Sequence, residues 1–265
     1  MEVEQMQHCE IRNKHRVERA IIMAAGTGTR MRPVTLDTPK PLIRVNGVRM
    51  IDTVIRALQE NGISEIYVVT GYQKEQFACL MENYEGVQLI ENPYWDSCNN
   101  IASLYVAREH LENAMILDGD QMVYKKEILA PEFTRSGYNA VWTDAETDEW
   151  LMQVENGIVR SCSRTGGRGG WQLFSVSRWS GEDGKRLKKH LELEFEEKKN
   201  RQIYWDDVAM FCHFEEYELG IYPMQEGDLI EIDDFSELCD LDPSYCGYEA
   251  QGRKNQKKNK LDRAV

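Results

Sequence analysis

The run Ala20-Ile21-Ile22-Met23-Ala24-Ala25-Gly26-Thr27-Gly28-Thr29-Arg30-Met31-Arg32-Pro33, continued by Thr38-Pro39-Lys40-Pro41-Leu42, joins an apolar segment to a glycine turn and two basic residues. Six apolar residues bounded by a turn predict a buried parallel strand. Gly26 and Gly28 are expected to take positive φ and to let the backbone approach a ligand. Successive N–H groups from Ala24 to Gly28, through Ala25, Gly26 and Thr27, can then point at phosphate oxygens. Arg30 and Lys40 bring positive charge to the same place. These parts predict a triphosphate cradle.

Two better-known phosphate loops do not fit. A Walker A loop ends in Gly-Lys-Ser/Thr, whereas Gly28 is followed by Thr29 and Arg30. A dinucleotide fingerprint needs a third glycine where Met31 stands. The full run with Arg30, Pro33, Lys40 and Pro41 instead resembles the signature loop of nucleotidyltransferases, which join a nucleoside triphosphate to a phosphorylated small molecule.

Working outward from that loop, strand and helix alternate. Met50–Glu60 places Met50, Ile51, Val54, Ile55 and Leu58 on one helical face, closed by Asn61-Gly62. Strands are expected at Glu65–Thr70, Val87–Ile90 and Ala114–Leu117, and helices at Lys74–Glu82 and Asn99–His110. This succession predicts an α/β fold with a parallel sheet, ligands lying beyond the carboxyl ends of its strands. The second half reads as antiparallel strands at Asn139–Thr143, Leu151–Glu155, Ile158–Ser161 and Gln172–Ser177. Asn156-Gly157 predicts a hairpin turn, Gly166–Gly170 a flexible loop, and Lys185–Lys199 a long charged helix. The expected architecture is a Rossmann-like, mixed and mainly parallel central sheet flanked by helices, with an antiparallel lid-like extension. The expected boundaries are a lead-in at 1–18, one nucleotidyltransferase domain at 19–242 and a basic tail at 243–265.

Composition narrows the partners. The 265 residues carry a formal net charge of −13, which argues against nucleic-acid binding, a function that needs a clustered basic surface. The seven cysteines contain no Cys-x-x-Cys pair, so zinc and redox spacings are missing and a reducing, cytoplasmic setting is expected. Residues 1–19 have no apolar core of a secretory signal, and no stretch approaches the length of a membrane span. The oligomeric state is not legible.

Asp118-Gly119-Asp120 ends an apolar strand, and Glu231 and Asp233 follow the short run Asp228-Leu229-Ile230. Hard carboxylate oxygens suit Mg²⁺, which takes one or two of them with phosphate oxygens and water. Asp120, Glu231 and Asp233 are the expected ligands, with Asp118 more readily a turn cap. The chemistry these parts support is in-line attack of an acceptor phosphate oxygen on the α-phosphorus of a triphosphate. That oxygen is already ionised, so orientation and charge neutralisation carry catalysis. Lys40 is assigned to the α-phosphate and the acceptor phosphate, Arg30 to the β- and γ-phosphates. Trp142, Trp150, Trp171, Trp179, Tyr204 and Trp205, several beside acids, offer either a cage for a quaternary ammonium or ordinary core packing.

Further segments carry a closer resemblance. Gly71-Tyr72-Gln73-Lys74-Glu75-Gln76-Phe77, Asn99-Asn100-Ile101-Ala102-Ser103-Leu104-Tyr105, Asp148-Glu149-Trp150, Ile203-Tyr204-Trp205-Asp206 and Ile230-Glu231-Ile232-Asp233 are similar to bacterial CTP:phosphocholine cytidylyltransferases, over about Arg19 to Leu241. The resemblance implies Mg²⁺ dependence, the substrates CTP and phosphocholine, and the product CDP-choline. It implies that Ala24, Gly26 and Tyr72, with Asn99, Asn100 and Ser103, bind the nucleotide. It also implies that Trp150, Tyr204 and Trp205 flank choline, with Asp206 as charge partner and Trp171 as a weaker candidate. Some relatives carry a fused choline kinase; this chain is too short for one, so a separate choline kinase is the implied link. Other acceptors remain open: 2-aminoethylphosphonate with CTP, or a sugar 1-phosphate, although no Glu-Lys-Pro segment of the sugar-specific kind is present. From another class, a non-catalytic nucleotide-binding regulatory subunit is the competing reading; the intact set of Arg30, Lys40, Asp120, Glu231 and Asp233 argues against it.

Overall fold

The computed structural model describes residues 14–248. Strand β1, Arg19–Ala24, is the apolar run expected to lie deepest, and five of its six residues are buried. It is flanked on both sides by parallel partners, β2 (Glu65–Thr70) and, later in the chain, Ala114–Asp118. Between β1 and β2 runs helix α1, Met50–Glu60, with the bounds its periodicity predicts. Asn61 follows and Gly62 turns the chain at φ +78°. Helix α2 is shorter than expected, Ala78–Asn83 after a 3-10 turn Lys74–Phe77, and leads to β3, Val87–Glu91, parallel to β2. Helix α3 spans Ile101–Val106, and Ala114–Asp118 is β4.

Side chains on β1 alternate between the two faces of the sheet. Ile21 and Met23 join a core with Ile101 and Leu104 of α3. Ala20, Ile22 and Ala24 join another with Ile51, Val54, Ile55 and Leu58 of α1. Each fully buried Ile, Leu or Val of this kind contributes about 1.5–3 kcal/mol. A third, smaller cluster of Met31, Val34, Ile43, Met50, Met122, Ile232 and Leu238 lies under the glycine loop and holds it to the body.

The second half extends the same sheet. After β5 (Gln121–Val123) come β6 (Gly137–Thr147), β7 (Leu151–Glu155), β8 (Ile158–Ser163), β9 (Gly167–Trp179), β10 (Gly220–Pro223) and β11 (Leu229–Glu231). Among the described residues the nine-stranded sheet has the order β6-β10-β8-β7-β9-β4-β1-β2-β3, with β6 also pairing with β9. The sheet is mixed: β9 runs antiparallel to β4 and couples the parallel half to the antiparallel one. Asn156 and Gly157 both take positive φ in the β7–β8 hairpin, as that dipeptide predicts.

Two expectations are corrected here. Gly167–Gly170 is strand and not a flexible loop, since Thr143 pairs with Gly170, Glu146 with Arg168 and Thr147 with Gly167. The charged helix begins earlier: α4 is Gly181–Glu192, capped by Ser180, whose hydroxyl accepts from the Asp183 N–H, and a π-helical turn Leu193–Glu197 continues it. The last short elements are Trp205–Asp207, continuing as a π turn Val208–Cys212, and helix α5, Phe235–Leu241.

At the ends, His15–Arg16 pairs with Glu132–Phe133, and Val17 is buried. The rest of the expected lead-in, residues 1–13, lies outside the described residues. Beyond 242 the chain remains packed: Tyr245 rests on the small cluster and donates to the Arg44 carbonyl at 2.8 Å. The basic run of the expected tail falls outside the described residues. Among those described, no helix is long and apolar enough to cross a membrane, and Cys79, Cys98, Cys162, Cys212 and Cys246 are free thiols.

Candidate active site

Two clefts meet beyond the carboxyl ends of β1 and β4. The first, of about 250 Å³, is lined by Met23, Ala24, Gly26, Thr27, Gly28, Thr29, Arg30, Lys40, Pro41, Asp120 and Asp233. The second, of about 230 Å³, is lined by Asn100, Asp118, Asp120, Glu149, Trp150, Leu173, Ser175, Tyr204, Asp206, Glu231 and Asp233. Asp120 and Asp233 belong to both walls, so a ligand in one cleft faces a ligand in the other across these two carboxylates.

The glycine loop builds the first cleft. Gly28 takes φ +58°, and a Cβ there would sit 3.0 Å from both Lys40 Cβ and Thr35 Cγ2. Gly26 is not among the positive-φ residues, which corrects the sequence expectation; its role is an open backbone edge with no atom near its missing Cβ. Thr35 ties the loop by donating to the Gly28 carbonyl at 2.8 Å. Lys40 opens a 3-10 turn, Lys40–Leu42, and is buried to 8 % exposure. Its ammonium lies 2.5 Å from Asp120 Oδ2 and 3.4 Å from Asp233 Oδ1. Burial works against that charge, but Asp120 and then Asp233 outweigh it and raise the Lys40 pKa. Arg30, which is largely exposed, reaches Asp233 Oδ1 at 3.0 Å.

The acidic wall comes from four separate places in the chain: Asp118 and Asp120, Glu149, Asp206, and Glu231 with Asp233. Asp118 ends β4, and the Gly119 N–H donates to the Met23 carbonyl at 2.9 Å. A Cβ on Gly119 would meet Met23 O and Pro41 Cγ at 3.2 Å, so the turn that delivers Asp120 is as tight as a side chain allows. Gln121 of β5 lies opposite Glu231 of β11 and donates to its Oε1 at 2.7 Å. Ile232 is fully buried in the small cluster, and Glu231 and Asp233 on either side of it both reach the cleft. The two acids thus share a face although β11 ends at Glu231. Asp234 caps α5 by accepting from Ser236 and Glu237 N–H groups, which leaves Asp233 free for the site.

Crowded carboxylates in a desolvated wall hold their protons. Burial, then Asp120 and Asp233, pushes Glu231 up to about 7 against its hydrogen bond from Gln121. Burial pushes Asp206 up to about 8, against the nearby Tyr138 hydroxyl. Asp118 is raised well above the carboxylate range by burial and by Asp120, Glu231 and Asp206. Glu149 is raised by burial and Asp233, with Arg30 opposing. Such a site favours cationic ligands. Asp206 points the same way, since its Oδ1 is buried and makes no close hydrogen bond, with the Tyr138 hydroxyl the donor near it.

Not every expected residue reaches the walls. Trp205 is corrected most sharply: it is 1 % exposed and packs on Tyr138 and Trp179 at 6.1 and 6.3 Å, within the core. Its contribution is a backbone N–H donated to Asn100 Oδ1 at 2.8 Å. Trp171 lies across the sheet from Trp142, their rings 5.6 Å apart, and lines neither cleft. Tyr72 braces the loop from behind, with its N–H on the Ala25 carbonyl and its hydroxyl on the Thr35 carbonyl. Ser103 is buried and accepts from Asn92, while Asn99 holds the Gln202 carbonyl. Ala25, Tyr72, Asn99 and Ser103 line neither cleft. Asn100, Trp150, Tyr204 and Asp206 are in place, with the Trp150 and Tyr204 rings edge to face at 6.0 Å and 90°. Glu149 and Ser175 were not singled out from sequence. Glu149 stands beside Trp150 in an acidic run that carries a signal; Ser175, inside a strand, carries none.

Comparison with known proteins agrees with this geometry. A MobA-like NTP transferase domain matches residues 20–177. A 2-aminoethylphosphonate cytidylyltransferase of Lancefieldella rimae is 40% identical over 85% of this chain and 92% of its own length. A choline-phosphate cytidylyltransferase of Streptococcus pneumoniae is 32% identical over 84% of this chain and 96% of its own. The solved CTP:phosphocholine cytidylyltransferase of that organism superposes with a TM-score of 0.78 at 31% identity, covering 85% of this chain and 97% of that one. An inositol-1-phosphate CTP transferase of T. maritima, 18% identical with a TM-score of 0.68, shares the fold. On these likenesses the chain belongs to the MobA-like NTP transferase family and is a nucleotidyltransferase.

Proposed function

We propose that the chain transfers CMP from CTP to a small acceptor bearing a phosphonate or phosphate at one end and an ammonium at the other, with 2-aminoethylphosphonate the acceptor that fits best. The observation that carries this reading is Asp206: a buried carboxyl whose Oδ1 makes no close hydrogen bond, in the wall of the second cleft beside Trp150 and Tyr204. A primary ammonium brings N–H donors that need such acceptors. A quaternary ammonium brings none and relies on aromatic faces. With Trp205 in the core, two aromatic rings remain rather than three. The aminoethylphosphonate enzyme related at 40% identity supports the same choice, and the cytidylyltransferases among the relatives support CTP. Phosphocholine is the second reading, favoured by the crossed rings of Trp150 and Tyr204 and by the phosphocholine-specific relatives.

In this mechanism the triphosphate lies against the glycine loop and the acceptor against the acidic wall. An ionised acceptor oxygen forms a bond to the α-phosphorus as the bond from that phosphorus to the bridging oxygen breaks, and pyrophosphate leaves. Lys40, held between Asp120 and Asp233, stands at the junction of the clefts, where negative charge accumulates in the transition state. Arg30 covers the outer end of the first cleft for the leaving phosphates. Asp206 orients the acceptor by its ammonium end. Mg²⁺ fits the hard oxygen donors of a buried wall in which burial, and then neighbouring carboxylates, raise Asp118 and Glu231. Asp120 and Asp233 would hold it, with Glu231 nearby, and when bound it would neutralise phosphate charge and polarise the reacting phosphoryl group.

The test is pyrophosphate release with Mg²⁺ across CTP, UTP, dTTP and ATP, each against 2-aminoethylphosphonate, phosphocholine, phosphoethanolamine and glucose 1-phosphate. Turnover with CTP and the aminophosphonate is expected to exceed all other pairs. Dominant turnover with phosphocholine would replace the first reading by the second, and silence throughout from folded protein would overturn both.

A further inference from the structure

Away from these clefts, the described residues contain one cluster of three potential ligands whose atoms lie within 4.8 Å of one another: His190, His213 and Glu216. His190 is on the last turns of α4, His213 follows the π turn Val208–Cys212, and Glu216 ends the short turn Phe214–Glu216. Each imidazole has one nitrogen engaged behind it and the other directed at Glu216. His213 Nε2 lies 3.0 Å from Glu194 Oε1, a buried carboxylate that also accepts from Lys198 at 2.6 Å and Asn200 at 3.1 Å. An ion-paired carboxylate only accepts, so His213 Nε2 is the donor to it. The other ring nitrogen, Nδ1, lies 3.1 Å from Glu216 Oε1. His190 Nδ1 meets the Tyr217 hydroxyl at 2.8 Å, and its Nε2 lies 3.3 Å from Glu216 Oε2.

The two rings stack at 3.7 Å and 7°, each with one nitrogen toward Glu216. One divalent ion serves both rings at once. We propose that His190, His213 and Glu216 bind a divalent transition-metal ion of the zinc class, at a site separate from the catalytic clefts. The donor set of two imidazoles and a carboxylate is one that zinc favours. Bonds of about 2.0–2.1 Å in a tetrahedron put ligand atoms about 3.4 Å apart, and the ring nitrogens lie 3.1 Å from one Glu216 oxygen and 3.3 Å from the other. The outer hydrogen bonds to Glu194 and Tyr217 are of the kind that orient metal-binding histidines. Coordination requires the stacked rings to tilt, so the ion completes the site. Glu216 and Tyr217 also line an open cleft of about 830 Å³, which gives the ion its path in. The bound ion would tie α4 to the segment that runs directly on from Tyr204 and Asp206, and so brace the acceptor wall.

The experiment uses the full chain, stripped with chelator, titrated calorimetrically with Zn²⁺ in excess Mg²⁺ so that the acidic clefts are already occupied. One equivalent is expected to bind and to raise Tm. His213→Gln and Glu216→Gln should abolish stoichiometric binding, and Glu194→Gln should weaken it by about 10–100-fold. Should a variant fail to fold, zinc-edge X-ray absorption of the loaded wild type decides, with imidazole scattering expected. Absence of stoichiometric binding, binding unchanged in His213→Gln, or a sulfur-dominated shell without imidazole would overturn the proposal.

Discussion

Lys40 concentrates the account at the scale of single residues. Its ammonium joins the two carboxylates shared by both clefts, so Lys40→Met should lower kcat by about 10²–10³-fold, the usual loss for one preorganised transition-state donor. Steady-state pyrophosphate release measures this, and circular dichroism should show an unchanged fold. Gly28→Ala makes the neighbouring point. A non-glycine residue at φ +58°, with a Cβ 3.0 Å from Lys40 and Thr35, costs about 1–2 kcal/mol in backbone strain and displaces the lysine. Denaturant unfolding should report the first effect and a fall in kcat the second.

Glu231 supplies a pH prediction. Its pKa rises from 4.5 to about 7 on folding. As pH climbs through that window the unfolded chain releases the proton while the folded chain keeps it, so this group's effect is to lower stability with rising pH, flattening above about 7. Asp206, raised from 3.8 to about 8, acts in the same direction. Glu231→Gln keeps a carbonyl oxygen for Gln121 and removes the titration. Its metal-free Tm should therefore fall less than that of the wild type between pH 4.5 and 7; parallel curves would contradict the assignment.

Elements show where sequence speaks and where it is silent. Helix α1 and strand β2 have the bounds read from periodicity, because local spacing and flanking breakers specify both ends. β9 was legible only in its C-terminal half. Four glycines in Gly166–Gly170 have poor strand propensity, and pairing with Thr143–Thr147 overrides it. The same limit explains Trp205: an aromatic residue beside acids looks alike in a ligand cage and in a core, and only packing against Tyr138 and Trp179 separates the two. Glu231 was visible as an acid after a short apolar run, but its seat beside Asp120 depends on a pairing of β5 with β11 across more than a hundred residues. The start of α4 was misplaced because glycines at 181 and 184 resemble breakers, whereas Ser180 is the cap. Ser180→Ala should lower unfolding free energy by about 1 kcal/mol, measured by urea titration.

For the whole molecule, the parallel half of the sheet delivers the phosphate loop, the antiparallel half delivers Trp150, Leu173 and Ser175, and the two meet at Asp120 and Asp233. The second cleft is strongly acidic and the first carries Arg30 and Lys40, and in the proposed function that contrast directs the triphosphate to the first and the ammonium end of the acceptor to the second. The most direct test of this arrangement is the ratio of kcat/KM for 2-aminoethylphosphonate to that for phosphocholine, in the wild type and in Asp206→Asn, with CTP saturating. The account predicts a wild-type ratio well above one. In the variant, loss of one charged hydrogen bond, worth about 1.5–3 kcal/mol, should bring that ratio down by about 10–100-fold. A ratio that does not move in Asp206→Asn would contradict it.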